Sequence, residues 1–183
     1  MNAEELLLER RSVRSFTAEG VDISVLEKVV SMARFAPSWK NTQSVRFTAI
    51  LDSSLRKEIA ENCVMGFELN QKTIQSAPVL VLITTVEGRS GFERDGSYST
   101  SKGTHWQSFD AGAGAQTFCL AAWLQGLGTV IMGIYDEEAL RARVGIPDEE
   151  SVSAMIAVGY PAQTPNAPKR KEIQELLRVA GKA

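Results

Sequence analysis

Residues Pro78–Val86 read PVLVLITTV, a run composed almost entirely of β-branched residues and leucine. A strand with apolar side chains at successive positions has no face left for water, so this run predicts a strand that is covered on both faces. Three more apolar runs predict further strands. They are Arg46–Leu51, Thr129–Ile134 and Val152–Val158. The core is therefore expected to contain a sheet with at least one fully buried strand.

Apolar residues at helical spacing lie between and beyond these strands. The strongest pattern is in Trp106–Gln125, where Phe109, Ala113 and Gln116 begin a series that recurs at intervals of three and four. The many alanine and glycine residues of this segment would let another backbone pack closely against it. Weaker patterns predict helices over Ala3–Arg10, from Asp22 or Ser24 to about Ala36, and over Ser53–Cys63, Asp136–Val144 and Lys171–Val179.

The order of these elements indicates the fold class. Helices and strands follow one another without the strict alternation of a doubly wound parallel sheet, so we predict an α+β fold with a mixed sheet. No repeat, low-complexity tract or linker divides the chain, which predicts a single domain over residues 1–183. The glycine- and hydroxyl-rich segment Glu87–Lys102 has no clear pattern, and we expect it to be a mobile excursion near a ligand site.

Composition excludes several classes of protein. The 183 residues are 44% hydrophobic and 23% charged, with a formal net charge of −2, which fits a soluble globular protein and gives no electrostatic reason to expect binding to nucleic acid or an anionic membrane. No apolar run approaches the roughly 20 residues of a membrane span, and Met1–Glu9 is acidic, unlike a signal peptide. Two cysteines and one histidine are too few for a zinc site with the usual spacing. We expect a reducing cytoplasm, with Cys63 and Cys119 filling the core.

Two clusters of basic residues lie near opposite ends of the chain. The first, Arg10-Arg11-Ser12-Val13-Arg14-Ser15-Phe16, places three guanidinium groups beside two serine hydroxyls, and such groups bind phosphate oxygens well. The second is Pro168-Lys169-Arg170-Lys171. Either cluster could be a solvated charge run, and the first also suits the dipole at a helix C-terminus. Together, however, they could converge on one phosphate group.

Two further segments contain candidate ligand-binding groups. Ala36–Gln43 (APSWKNTQ) is rich in amide and hydroxyl groups, which suit a polyol chain or the edge of a heterocycle, although a long turn would explain the same residues. Gly126–Gly133 (GLGTVIMG) has glycines that resemble a dinucleotide-binding loop. That loop requires them after a strand and before a helix, whereas these follow a helix and open a strand. Gly126 or Gly128 is therefore interpreted as a helix C-cap.

No set of residues supports hydrolysis by acid–base or nucleophilic catalysis. There is no G-x-S-x-G sequence, and the single histidine, His105, is in a polar segment. No Cys–His pair or pair of carboxylates stands out by its spacing. The chain has groups that can donate hydrogen bonds to an anion, and it has side-chain amide donors, but it has no evident proton-transfer group. This combination indicates that a cofactor supplies the reactivity.

A series of short motifs, in a fixed order, resembles the nitroreductase family of flavin-dependent oxidoreductases. The motifs are Arg10-Arg11-Ser12-Val13-Arg14, Ala36-Pro37-Ser38 with Asn41 and Gln43, Asn70-Gln71-Lys72 with Ile74 and Ala77-Pro78, Asp110 with Gly112, Gln116 and Leu120-Ala121-Ala122, Leu127-Gly128-Thr129 with Gly133, Val158-Gly159-Tyr160-Pro161, and Lys169-Arg170. Each motif is weak alone, but the ordered set covers roughly residues 8 to 171 and is fairly specific.

The resemblance implies a homodimeric α+β fold, a three-layer sandwich in which helices flank a central mixed, mostly antiparallel sheet, with FMN at the subunit interface. The FMN phosphate would be held by Arg10, Arg11, Ser12 and Arg14, together with Lys169 or Arg170. Pro37, Ser38 and Asn41 would approach the flavin from the partner subunit. Asn70 and Lys72 would address the ribityl chain or the pyrimidine edge, and the backbone near Met132 and Gly133 would face the flavin N5 atom.

The resemblance also implies an activity. The protein would use NADH or NADPH in a ping-pong mechanism to reduce small-molecule acceptors such as nitroaromatics or quinones, with FMN and no catalytic side chain carrying the chemistry. Two alternatives remain: a flavin-storage or sensing module with little turnover, and a relative that performs reductive dehalogenation or oxidation of a heterocycle. Four aromatic residues are candidates for the acceptor side: Trp39, Phe92, Tyr98 and Trp106. Family members often have proline after the position of Gln43, whereas this chain has Ser44, so the entry into the following strand is expected to differ.

Overall fold

The computed structural model describes residues 2–163 and 165–181. Its strands are β1 (Val45–Ile50), β2 (Val79–Val86), β3 (Gly128–Met132) and β4 (Glu150–Gly159). They form one sheet in the order β1-β2-β4-β3, and every neighbouring pair is antiparallel. Ser12 adds an isolated parallel bridge to Thr129 of β3. The sheet is thus mixed and mostly antiparallel, as predicted.

Helices cover both faces of this sheet. On one face lie α2 (Ile23–Ala33) and α5 (His105–Leu124), and on the other lie α3 (Ser53–Asn62), α4 (Glu68–Ser76) and α6 (Glu137–Val144). The remaining helical segments are α1 (Ala3–Glu9), a short 3₁₀ helix at Trp39–Asn41 and the single turn α7 (Ile173–Leu176). This arrangement is the three-layer sandwich expected from the sequence.

The strand β2 explains why there are three layers. Val79, Val81 and Ile83 pack with α2 and α5, whereas Leu80 and Leu82 pack with α3, α4 and α6. All five side chains are buried. Because burying an aliphatic side chain contributes about 1.5–3 kcal/mol, a strand of this composition is stable only when helices cover both of its faces.

Most predicted elements are confirmed to within one or two residues, and polar side chains mark several helix starts. Asp22 accepts from the Ser24 N–H, and Asp136 accepts from the Ala139 N–H. After α5, Gly126 has a φ of +77°, which is the conformation that glycine adopts without strain. Of the two glycines predicted as a C-cap, Gly126 therefore fills that role, and Gly128 belongs to β3.

Two helix predictions were wrong. The expected helix over Lys171–Val179 is reduced to α7, a single turn whose residues are all exposed. A short helix gains its stability from packing an apolar face, and this segment packs on nothing in the described part of the chain. In contrast, α4 was not predicted, because it is polar and starts after Phe67 without a side-chain cap. It forms where Ile74 can enter the core.

The segment after β2 contains neither a helix nor a strand as far as α5, as expected from its composition. Two glycines allow it to fold tightly: Gly91 has a φ of +83°, and a Cβ atom there would lie 2.7 Å from the carbonyl oxygen of Gly103. Both cysteines are free and buried, as predicted. Within the described residues, none of the helices combines the length and the apolar character needed to cross a membrane.

Candidate cofactor site

The backbone of the first basic cluster lies against the edge of the sheet. Ser12 forms its bridge with Thr129, and the Val13 N–H donates to the Thr129 carbonyl oxygen at 2.9 Å. Val13 is fully buried, and a Cβ atom at Gly128 would lie 2.7 Å from its side chain. Residues 10–14 therefore approach β3 closely because Gly128 has no side chain.

The chain after β4 returns to the same place. Phe16 and Pro161 form an antiparallel bridge, and the Ala162 N–H donates to the Ser15 carbonyl oxygen at 3.0 Å. This pairing brings the second basic cluster to the first, so that both line one cleft of about 420 Å³, here called the basic cleft. Its lining residues are Arg10, Arg11, Ser12, Arg14, Pro165, Asn166, Pro168 and Arg170. Lys169 is exposed and does not line the cleft.

The arginines of the basic cleft differ in their protein partners. Arg11 donates to two backbone carbonyl oxygens at the end of α1, one of them that of Arg10 at 2.9 Å. In the described part of the chain, no carboxylate lies within salt-bridge distance of Arg10, Arg14 or Arg170. No acidic residue is among those that line the cleft, and guanidinium groups in this setting bind phosphate oxygens strongly.

Cys119, on α5, is close to the basic cleft. Burial raises the pKa of its thiol, while a hydrogen bond with Thr129 and the charge of Arg10 act in the opposite direction. The raised pKa keeps the thiol protonated near neutral pH, and a protonated thiol is a poor nucleophile. Cys119 is therefore a core residue next to the cleft and not a reactive group of it.

A second part of the predicted site lies where α4 meets the end of β3. The Asn70 side chain is buried, and its Nδ2 atom donates to the Ile134 carbonyl oxygen at 3.1 Å. Asn70 thereby lies beside the segment that follows Met132, and a Cβ atom built on Gly133 would meet nothing within 4 Å. The backbone at Gly133 thus borders open space. Lys72 lies on the exposed side of α4, where its ammonium group pairs with a glutamate at 3.2 Å.

The remaining predicted residues, Pro37, Ser38 and Asn41, belong to residues 37–44, here called the 37–44 loop. Its backbone has positive φ at Lys40 (44°), Asn41 (56°) and Gln43 (49°). This conformation costs a residue with a side chain about 1–2 kcal/mol, so other contacts must hold the loop. Pro37 and Ser38 line a second cleft, of about 340 Å³, that shares no residue with the basic cleft. Within one chain, Pro37 and Ser38 therefore lie in a different cleft from the basic residues.

Aromatic side chains connect the 37–44 loop to the start of α5. The ring centroids of Trp39 and Trp106 are 4.6 Å apart, and those of Trp106 and Phe109 are 5.6 Å apart. Phe92 and Tyr98 form a separate pair at 5.0 Å. The four aromatic residues proposed for the acceptor side therefore form two pairs, and only the Trp39–Trp106 pair touches the 37–44 loop.

Comparison with known protein families agrees with the resemblance that the ordered motifs indicate. A family model described as the nitroreductase family matches residues 7–160, which is most of the chain. The chain belongs to the nitroreductase family. The matched region of this nitroreductase-family protein includes the first basic cluster, the 37–44 loop, Asn70 and Gly133.

Curated relatives have several different names. An NADH dehydrogenase of Thermus thermophilus is 27% identical, over 89% of this chain and 88% of that protein. An NADPH-flavin oxidoreductase of Vibrio harveyi is 28% identical, over 92% of this chain and 70% of that protein. Iodotyrosine deiodinase 1 of Mus musculus is 28% identical, over 94% of this chain and 67% of that protein. The names of these relatives thus refer to different activities.

Solved structures share the fold. A nitroreductase family protein from Streptococcus pneumoniae superposes with a TM-score of 0.84 at 22% identity, over 97% of this chain and all of that one. A protein described as an oxidoreductase containing FMN superposes with a TM-score of 0.72 at 27% identity, over 89% of this chain and 79% of that one. The nitroreductase fold predicted from the sequence is therefore confirmed.

Sequence reasoning missed the groups that hold the 37–44 loop. Asp110, on α5, accepts a hydrogen bond from the Trp39 N–H at 2.9 Å and another from the Ser90 hydroxyl. Asp110 stood among the family motifs without a role, and Ser90 was one of many hydroxyl residues in an unpatterned segment. The available signal was a carboxylate within α5, a helix whose other residues are mostly small or apolar. A buried carboxylate needs hydrogen-bond partners, so Asp110 could have been expected to bind another segment of the chain.

Proposed function

We propose that this protein is an FMN-dependent oxidoreductase that uses NADH or NADPH to reduce small-molecule acceptors. The observation that carries the proposal is the basic cleft, where Arg10, Ser12 and Arg14 meet Arg170 although these residues lie near opposite ends of the chain. A site with several guanidinium groups and no acidic neighbour suits a dianionic phosphate monoester, which is the charged end of FMN.

The residues of the chain also suit the rest of the cofactor. Its flat ring system needs an accessible backbone and space, and the structure provides both at Gly133. Asn70, beside Gly133, is an amide suited to the ribityl hydroxyls or the pyrimidine edge, and one of its donors is already fixed by Ile134. We place Met132 and Gly133 at the N5 edge. Lys72 could reach the cofactor only after leaving its pair with glutamate.

When bound, FMN supplies the redox chemistry, accepting two electrons as hydride from NAD(P)H and passing them to the acceptor. The chain contributes binding and orientation. The basic cleft fixes the phosphate end, and backbone groups near Gly133 stabilise negative charge at the ring. We infer alternating, ping-pong use of one binding face, with nitroaromatics or quinones as acceptors, and Trp39 and Trp106 beside that face.

The proposed active form is a homodimer with FMN at the subunit interface. The support comes from α5, where part of the predicted apolar stripe is exposed. Phe109 and Leu124 are exposed, and a Cβ atom on Gly112 between them would meet nothing within 4 Å. An uncharged outer stripe on a helix of 20 residues suits a contact with a second copy. It would also explain how Pro37, Ser38 and Asn41 reach a basic cleft that they do not line in their own chain.

A second candidate is reductive dehalogenation, which the similarity to iodotyrosine deiodinase 1 favours. Both reactions would need the same basic cleft and the same reduced cofactor. They would differ in the acceptor, so residues 87–104 and the Trp39–Trp106 pair are where the difference should lie. A storage or sensing module would share the binding site but would show no turnover.

The proposal is tested by purifying the protein, reconstituting it with FMN and adding NADH or NADPH without oxygen. We expect the flavin absorbance to bleach and to return when a nitroaromatic, a quinone or a halogenated phenol is added. Steady-state rates with each acceptor separate the oxidoreductase from the dehalogenase. Bound FMN that is never reduced would leave only the storage or sensing function. A protein that binds no FMN would overturn the proposal as a whole.

A further inference from the structure

The 37–44 loop is held by a buried hydrogen-bond network that includes two other parts of the chain. Asp110 of α5 is 2% exposed, and Ser90 of the segment after β2 is fully buried. The Asp110 Oδ2 atom accepts from the Trp39 N–H at 2.9 Å and from the Ser90 hydroxyl. The Ser90 Oγ atom lies 3.0 Å from the hydroxyl oxygens of both Thr42 and Ser44. One carboxylate thus connects the helix, the segment after β2 and both halves of the loop.

The chemistry of these groups sets the direction of each hydrogen bond. An ionised carboxylate only accepts, so the single hydroxyl proton of Ser90 goes to Asp110. The two lone pairs of Ser90 are then available to accept from the hydroxyls of Thr42 and Ser44. Every proton in the network therefore points toward Asp110, and the negative charge of that residue orders the three hydroxyl groups.

The cost of this arrangement indicates that it has a role beyond packing. In the described part of the chain, no lysine, arginine or histidine lies within salt-bridge distance of Asp110. A carboxylate buried without a counter-ion destabilises a protein unless its hydrogen bonds offset the loss of water. The loop that it holds is itself strained, with Lys40 and Gln43 in the left-handed region.

We propose that Asp110 is a positioning residue that, through Ser90, holds the 37–44 loop in the strained conformation that presents Ser38 and Asn41. Further contacts depend on this conformation. The Gln43 N–H donates to the Ser38 Oγ atom at 2.9 Å, and the Asn41 N–H donates to the Ser38 carbonyl oxygen at 3.0 Å. Family members often have proline at the position of Ser44, and proline has no hydroxyl group. The hydrogen bond between Ser44 and Ser90 therefore depends on a residue at which this sequence departs from the family pattern.

The same network connects the two sides of the proposed site. Ser90 belongs to residues 87–104, and a second link joins this segment to the loop, because the Lys40 ammonium contacts the Glu93 carboxylate at 2.9 Å. The Ser99 hydroxyl and the Lys40 ammonium lower the pKa of Glu93. Lys40–Glu93 is an exposed pair, and exposed pairs contribute little. The buried Asp110–Ser90 contact is therefore the stronger of the two links.

The test measures the loop and the cofactor separately in Asp110→Asn and Ser90→Ala. Near-ultraviolet circular dichroism reports the Trp39–Trp106 pair, with Trp39→Phe to assign its signal. FMN titration measures whether the conformation of the loop affects the affinity for FMN, and this measurement rests on the proposed function. The control is Ser76→Ala, which removes a hydroxyl that donates to the Thr73 carbonyl oxygen at 3.0 Å in α4, on the other side of the sheet from α5.

We expect Asp110→Asn and Ser90→Ala to lose the tryptophan-pair signal and to bind FMN roughly 10–100-fold more weakly, while Ser76→Ala keeps both. If Asp110→Asn does not fold, Ser90→Ala gives the same readout. Retention of the tryptophan signal in folded variants, with only a lower Tm, would overturn the positioning role. A wild-type protein without FMN affinity would refute the proposed function, but the dichroism would still decide whether Asp110 holds the loop.

Discussion

Arg10 and Arg11 are neighbours in the sequence, but their side chains have different surroundings. Both line the basic cleft, but Arg11 donates to two carbonyl oxygens at the end of α1, whereas no carboxylate in the described part of the chain lies within salt-bridge distance of Arg10. A guanidinium already engaged by backbone oxygens has fewer donors left for a ligand. Arg10 is therefore expected to contribute more to phosphate binding than Arg11, although both were predicted as phosphate ligands.

The close packing of Gly128 against Val13 leads to a prediction about a single residue. A Cβ atom at this position would lie 2.7 Å from the Cβ atom of Val13, which is closer than side chains pack. Gly128→Ala should therefore displace residues 10–14 from β3, lower the free energy of unfolding by about 1–3 kcal/mol and weaken FMN binding. Chemical denaturation and FMN titration measure the two effects.

The control for this prediction is Gly20→Ala, because a Cβ atom at Gly20 would meet nothing within 4 Å. The control should leave both measurements close to those of the unmodified protein. If Gly128→Ala were equally silent, the close contact between Val13 and β3 would not be what places the first basic cluster.

At the scale of elements, strands and amphipathic helices were predictable because their patterns record burial directly. The sequence of β2 shows two apolar faces, and the structure covers both. The prediction for α5 was less complete: its periodicity was correct, but Phe109 and Leu124 are exposed, while Phe118, Asp110 and several small residues are buried. A pattern of apolar residues cannot tell an intramolecular contact from a surface that awaits another chain.

The segment between β3 and α6 makes a pH-dependent contribution to stability. The Tyr135 hydroxyl donates to the Val152 carbonyl oxygen of β4 at 2.7 Å. Burial, followed by the charge of Glu137, raises the pKa of Tyr135 from its usual value near 10 to about 12. Between these two values the unfolded chain loses the phenolic proton while the folded protein keeps it, so stability must fall as pH rises from about 10 to about 12.

Tyr135→Phe isolates this contribution. The variant cannot ionise at this position, so its stability should fall less steeply over the same pH interval, although it loses one hydrogen bond at neutral pH. Denaturation midpoints at a series of pH values measure the slope. Identical slopes for the two proteins would show that Tyr135 is not the group responsible.

At the scale of the whole molecule, the separation of the two clefts within one chain leads to a prediction for the dimer. If Pro37, Ser38 and Asn41 of one subunit complete the basic cleft of the other, then Arg10→Ala and Asn41→Ala damage opposite sides of the same composite site. In a mixed dimer, one site carries both changes and the other carries neither. Mixing the two impaired variants after unfolding and refolding them together should restore activity in about a quarter of the sites.

Activity that does not rise above the average of the two variants would contradict the shared site. A mixture of Arg10→Ala with Arg14→Ala is the matched control, because both changes lie in the same cleft and no mixed dimer contains an intact site. Light scattering on the same samples establishes whether dimers form.

Most residues of the candidate site could be named from the sequence because they belong to short, local motifs. The basic residues, the donors of the 37–44 loop and Gly133 could be named without a structure. The contacts that bring these residues together could not be predicted, because they depend on pairing between distant parts of the chain. The bridge between Phe16 and Pro161 brings Arg170 to the cleft, and no property of Lys169 or Arg170 alone indicates which of them lines it. The Asp110–Ser90 contact also joins separate segments.

The most direct test of the account compares FMN with riboflavin, which has the same ring system but no phosphate. The wild-type protein should bind FMN much more tightly than riboflavin. Arg10→Ala should weaken FMN binding by about 10–100-fold without changing riboflavin binding, and the control Arg11→Ala should lose less. Equal affinity of the wild-type protein for the two flavins, or an equal loss of both in Arg10→Ala, would contradict the assignment of the basic cleft to the phosphate.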